Sequence, residues 1–120
     1  MLKYSEDHEW VRLDGDVATV GITDYAQNEL CDIVFVELPE PGTMVAVGGD
    51  MATVESFKAA SSVYAPVAGE VLEINDTLEA DPARVNSDPQ GDGWFVKIKV
   101  EDITVLDKLM DEDAYNKLTQ

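Results

Sequence analysis

Apolar positions along the chain recur mostly at a spacing of two, in short segments. Asp16 to Thr23, DVATVGIT, sets Ala18, Val20 and Ile22 against Val17, Thr19 and Gly21, a small and β-branched alternation that predicts a half-buried strand. Thr23 then stands as the N-cap of a short amphipathic helix, DYAQNELC, in which Tyr25, Ala26, Glu29 and Leu30 fall at helical spacing. The run DIVFVEL is apolar at consecutive positions, which predicts a buried strand closed by the PEPG turn of Pro39 to Gly42. From there to Asn75, short β segments (TMVAV, MATVES, ASSVYAPV, VLEIN) alternate with glycines and small polar residues. That rhythm belongs to a small β-sandwich or barrel.

Residues 75 to 93 hold two prolines, two glycines and many Asp and Asn, so they are expected to be mostly loop, with a helical turn near Pro82 to Val85. WFVKIKV then alternates cleanly. Trp94, Val96, Ile98 and Val100 are expected on one face, and Phe95, Lys97 and Lys99 on the other. In the tail, Leu106, Leu109 and Met110 share a face, and Asp111 caps a second short helix carrying Ala114, Tyr115 and Leu118. The fold class is mainly β with small flanking helices.

Composition narrows the function. At 120 residues the chain suits a single domain with one core, residues 1 to 120. Its formal net charge of -17, from 8 Lys+Arg against 25 Asp+Glu, sets nucleic acid and anionic membranes aside as partners and favours proteins with basic patches. No apolar run is long enough to span a bilayer. The start, MLKYSEDHEW, has neither the apolar segment of a signal peptide nor the Arg-rich look of a transit peptide, so a cytoplasmic protein or a processed mitochondrial form is expected. A single cysteine, Cys31, and a single histidine, His8, provide neither an intramolecular disulfide nor the ligand set of a zinc centre.

Against this acidic background one cation is out of place. Between Leu13 and Ala83 the only Lys or Arg is Lys58, set in VESFKAASSVYA. One β segment enters it and another leaves, so Lys58 is expected at a hairpin tip, where its long stem is free and a second protein can reach it. An ordinary solvated lysine would also fit. Gly42, 16 residues before it, and Gly69, 11 after it, each precede a β segment, as in a flattened barrel of two similar halves with the lysine near the axis between them.

The order Gly, then Val-Glu-Ser-x-Lys-Ala, then Ala-Pro-x-x-Gly-Glu-Val resembles lipoyl and biotinyl carrier domains. Phe57 and Ala59 flank Lys58 where the biotinyl branch has methionines, which favours lipoylation. SEDHEWVR, VGITDYAQ, DIVFVELPEPG, VESFKAASSVYAPVAGEV and NSDP with GWFVKIK are similar, in order and spacing, to the H protein family of the glycine cleavage system. The resemblance runs from about Lys3 to Leu118. It implies a lipoyl-domain-like barrel-sandwich hybrid with short flanking helices, including a C-terminal one, that is monomeric and non-catalytic. It also implies lipoic acid in amide linkage on Lys58, taking the net charge from -17 to -18.

The partners implied are a pyridoxal-phosphate glycine decarboxylase, a tetrahydrofolate-dependent aminomethyltransferase, a flavin dihydrolipoamide dehydrogenase and a lipoylating enzyme. Between the first two the arm would carry an aminomethyl group, sheltered in a cleft near the HEW motif. Residue by residue this points to Glu9 as the carboxylate for the amine, with Asp7 and His8 nearby and Leu30 as an apolar wall. His8 also reads as a capping or packing histidine, and Trp10 as core.

Two positions depart from the family pattern. Ser62 stands where many members have Asp, which weakens a second carboxylate in the cargo pocket. Cys31 stands where Gly commonly ends the short helix, so a strained turn or a different helix end is expected, with the thiol a small packed residue rather than a reactive one. A lipoyl or octanoyl relay protein is the alternative function. An enzyme built on Cys31 and His8 lacks a second histidine and any Gly-rich phosphate cradle, and a purely structural module leaves the spacing around Lys58 unexplained.

Overall fold

Two antiparallel β-sheets enclose one apolar core in the computed structural model, which describes residues 2–119. The strands are β1 (Leu2–Tyr4), β2 (Glu9–Asp14), β3 (Val17–Ile22), β4 (Ile33–Glu37), β5 (Met44–Val45), β6 (Asp50–Ser56), β7 (Ala60–Tyr64), β8 (Gly69–Ile74) and β9 (Val96–Val100). Six of them form a sheet in the order β1-β2-β3-β9-β8-β5, and β4-β6-β7 form the second. Helix α1 (Asp24–Leu30) joins β3 to β4, α2 (Thr77–Ala80) and α3 (Arg84–Ser87) lie in the loop before β9, and a 3-10 turn (Ile103–Lys108) leads to α4 (Glu112–Leu118). The chain is mainly β with a C-terminal helix, as expected, and among the described residues no helix is long and apolar enough to cross a membrane.

Period-two alternation builds the core. Ala18, Val20 and Ile22 of β3, Val96, Ile98 and Val100 of β9, and Val71 of β8 face Ile33 and Val36 of β4, Val54 of β6 and Val63 of β7. Val11 of β2 points the same way, and its neighbour Trp10 points to the opposite face. There Trp10 packs with Tyr4 and with Tyr115 of α4, and its indole N–H donates to the Pro89 carbonyl at 2.8 Å. Gly21, opposite Trp10 in register, leaves room for the indole: a Cβ there would come within 2.8 Å of the ring.

Both predicted helix caps form. The Thr23 hydroxyl accepts from the Ala26 N–H, and the Asp111 carboxylate accepts from the Ala114 N–H. Elsewhere the structure corrects the sequence reading. The loop before β9 contains the turn α2, held by Leu78 in the core and by Asn75, whose side-chain amide donates to the Asp92 and Trp94 carbonyls. Phe95 does not lie beside the lysines. It precedes β9, donates its N–H to the Val20 carbonyl and is fully buried, whereas Trp94 is partly buried with the Lys97 ammonium over its ring. Of the residues expected on α4's apolar face, Tyr115 is buried and Ala114 and Leu118 are exposed.

The strand DIVFVEL is only half buried. A register shift between Ile33 and Phe35 in the β4–β6 pairing keeps Ile33 and Val36 inside and leaves Val34 and Phe35 45% and 44% exposed. Cys31, expected to pack, is exposed. It ends α1 at φ 66, ψ -150, a region that only glycine occupies without strain. Replacing Cys31 by glycine is therefore expected to stabilise the fold by about 1 kcal/mol, read as a higher chemical-denaturation midpoint with an unchanged slope.

Candidate functional site

The β6–β7 hairpin ends in a tip built by one serine. The Ser56 N–H donates to the Ala59 carbonyl at 2.8 Å, and the Ser56 hydroxyl oxygen accepts from the N–H groups of Lys58 and Ala59, each at 3.1 Å. Lys58 and Phe57 are thus presented at the crest of a closed turn, Phe57 being 83% exposed. The lysine side chain is not fully extended into solvent as its tip position suggested. Its Nζ donates to the Glu29 carbonyl at 3.1 Å, in the last turn of α1. Helix ends leave carbonyls without partners and carry partial negative charge, and α1 has no basic residue of its own in that turn. Lys58 supplies the missing cation from the neighbouring sheet.

Beside this contact opens a cleft of about 350 Å³, lined by Asp7, His8, Tyr25, Ala26, Glu29, Leu30 and Ser61. Of the residues expected there, His8 and Leu30 line it and Asp7 joins them. Ser62 does not. Side chains alternate along β7, so Ser61 and Val63 turn inward while Ser62 is exposed on the outer face. Tyr25, Ala26 and Glu29 come into the cleft as the same stripe of α1 that carries Leu30. Their helical spacing was the signal that could have assigned them to the site.

His8 adopts φ 69, which turns the chain between β1 and β2. Its ring packs on Tyr25 with centroids 4.6 Å apart, and its Nδ1 lies 2.8 Å from the Tyr115 hydroxyl. That hydroxyl also lies 2.6 Å from the Thr23 hydroxyl, so α4, the N-cap of α1 and the cleft wall are joined through one phenol. Burial, the largest effect on Tyr115, pushes its pKa above the ordinary tyrosine value, so the phenol stays neutral.

Glu9, expected in the cleft, is not among the residues that line it. It is 2% exposed, and its carboxyl accepts from the Ser5 hydroxyl at 2.6 Å while its own N–H donates back to that oxygen at 3.1 Å. Loss of hydration raises its pKa from 4.5 to about 7; the Ser5 bond opposes this, the charge of Asp7 adds to it, and the Tyr64 backbone N–H opposes it. Near neutral pH this buried group is divided between its acid and its carboxylate. Trp10 lies in the second apolar cluster, as its reading as core required.

The arrangement joins an accessible primary amine to an adjacent cleft that is part apolar and part polar. A chain attached to the amine could reach that cleft, because Glu29 both accepts the Nζ bond and lines the cavity. No group of three or more His, Cys, Asp or Glu side chains able to hold a metal ion occurs among the described residues.

Known proteins resemble this chain in sequence and fold. The family model described as Glycine cleavage H-protein matches residues 2–120. The chain is 56% identical over 119 residues to the glycine cleavage system H protein of Parvibaculum lavamentivorans, covering 99% of this chain and 95% of that one. It is 60% identical over 116 residues to the H protein of Bradyrhizobium diazoefficiens, covering 97% and 95%. The crystal structure of a glycine cleavage system H protein from Mycobacterium marinum superposes with a TM-score of 0.89 at 35% identity, covering 97% of this chain and 94% of that chain. By sequence over nearly its whole length and by fold, the chain belongs to the glycine cleavage H-protein family.

Proposed function

We propose that this chain is the lipoyl carrier of glycine cleavage, a single carrier domain that takes lipoic acid in amide linkage on Nζ of Lys58. Its task is to shuttle the aminomethyl group of glycine from a pyridoxal-phosphate decarboxylase to a tetrahydrofolate-dependent aminomethyltransferase. A flavin dihydrolipoamide dehydrogenase restores the arm, a lipoylating enzyme attaches it, and the setting is the cytoplasm or, for a processed form, the mitochondrial matrix. The observation that carries this reading is the position of Lys58, at a hairpin crest with its Nζ at the rim of the cleft. The role is that of a carrier and not a catalyst.

The residues present suit the group. When bound, the lipoyl group supplies a dithiolane whose S–S bond opens to accept a one-carbon fragment and closes again on oxidation. An amide on Nζ removes the ammonium, so the tether enters an enclosed partner site without the cost of stripping water from a cation. It keeps one N–H, enough to go on donating to the Glu29 carbonyl. Tethering raises the effective concentration of the cargo at each partner.

The cargo end is assigned to the cleft. Leu30 and Tyr25 give it apolar surface, while His8, Asp7 and Ser61 give polar atoms. Glu9 acts from outside the lining through its charge. A cationic cargo favours the carboxylate form of Glu9 and therefore lowers its pKa while the cargo is in place.

Incubation with a lipoylating enzyme, lipoate and ATP to activate its carboxylate is expected to add one lipoyl mass to the wild-type chain and none to Lys58→Ala. An unchanged intact mass of the wild type overturns the proposal. The modified chain is expected to support exchange of glycine with CO2 by the decarboxylase, whereas a relay protein restricted to passing lipoyl groups would not.

Glu9 also makes stability depend on pH. A carboxyl whose folded pKa is raised contributes stability that is fully present below its unfolded value, near 4.5, and that is lost as pH rises through about 7. Between pH 5 and 8 the wild type is expected to lose stability relative to Glu9→Gln, by up to about 3 kcal/mol. Parallel denaturation curves for the two proteins across that range would contradict the assignment.

A further inference from the structure

The outer face of the β4-β6-β7 sheet carries apolar side chains that folding does not use. The bulge in β4 turns Val34 and Phe35 out to solvent. Phe35 stands opposite Glu55 of β6 in register, and the outward alternation of β6, Thr53 then Glu55, continues to Phe57 at the hairpin crest beside Lys58. Phe35 and Phe57 thus lie on the same face of adjacent strands, Phe57 directly beside Lys58 in the chain.

Exposed carboxylates surround these residues. Asp32 precedes β4, Glu37 ends it, Glu55 faces Phe35, and Glu29 lies under the lysine. The ion pairs among the described residues are Arg84–Asp81 and Lys97–Glu73, so these four acids are left without a cationic partner. From this geometry we infer that Phe35, Val34 and Phe57, within their acidic border, form a docking surface for the enzyme that acylates Lys58. That enzyme would present an apolar slot bordered by Lys and Arg.

Charge favours a protein with a basic border over a second copy or an anionic bilayer, and the place of the patch beside Lys58 points to the enzyme that acylates it. A second copy of the chain would bring another -17 against the same border, and an anionic bilayer would repel it equally. A basic border on a protein partner would neutralise the acids and speed encounter, while the aromatic residues, seated in the slot, would slow release. Any enzyme that reaches Lys58 must also cover Phe57. Phe35, on another strand, is the independent part of the claim.

The inference rests on acylation of Lys58, and one experiment separates the two. Lipoylation of the wild type, Phe35→Ser and Phe57→Ser is followed by intact mass to give kcat and KM at low and at raised salt, with thermal melting as the check on folding. Phe35→Ser is expected to melt like the wild type, since its ring is outside the core, and to raise KM about ten-fold with kcat nearly unchanged. Raised salt is expected to increase the wild-type KM. Wild-type modification with a Phe35→Ser KM within two-fold of it overturns the docking surface and leaves the carrier role intact. A wild type that dimerises in sedimentation, with Phe35→Ser monomeric, also overturns it by giving the face to a second copy. A wild type that gains no mass overturns both.

Discussion

The corner between α1 and β4 is the constraint on which the site depends. After Leu30 the chain must leave the helix, reverse and enter the second sheet, and Cys31 does so at a backbone angle suited to glycine. One side chain holds the corner. The Asn86 amide donates to the Cys31 carbonyl at 2.8 Å and to Gln27 at 2.9 Å, and its oxygen accepts from the Ile33 N–H at 2.8 Å. All three bonds come from α3, in a loop with little sequence signal; two of them satisfy the Cys31 carbonyl and the Ile33 N–H, which the reversal would otherwise leave open, and the third ties the Gln27 side chain to the same amide. With the corner fixed, the last turn of α1 lies where Lys58 can reach Glu29, and β4 starts in the register that produces its bulge.

The cleft follows from the same corner. Its walls come from α1, from the β1–β2 turn and from β7, which meet only in the folded chain. Tyr115 then fastens these walls to the C-terminal helix, stacking on Tyr4 at 4.6 Å while its hydroxyl meets both His8 and Thr23. The cleft wall is thus supported by packed aromatic rings from both ends of the chain.

What the sequence made legible was whatever has a local cause. Thr23 and Asp111 cap helices because a short side-chain oxygen reaches an N–H three residues on, and that reach is written in the chain. Lys58 was found by its isolation among acids, and its hairpin by the alternation on either side. The burial of Glu9 could not be read, because it depends on Ser5 and on β7 folding over it. Phe95 and the pair Val34–Phe35 were misassigned for one reason: a bulge or a strand start shifts the two-residue alternation by one, and only the partner strand reveals the shift. Ser61 and Ser62 differ by the same single step. The family resemblance pointed to Ser62, and the strand's alternation turns Ser61 toward the cleft instead.

The crest of the hairpin uses no glycine and no left-handed residue, since the positive-φ positions lie elsewhere in the chain. Ser56 alone closes it, with one hydroxyl and one N–H. Its main chain is therefore held in a single shape before any partner arrives. Ordering a free loop costs about 1–2 kcal/mol per residue, and here that entropy has been surrendered in folding. A partner that approaches residue 58 therefore meets a main chain that folding has already shaped.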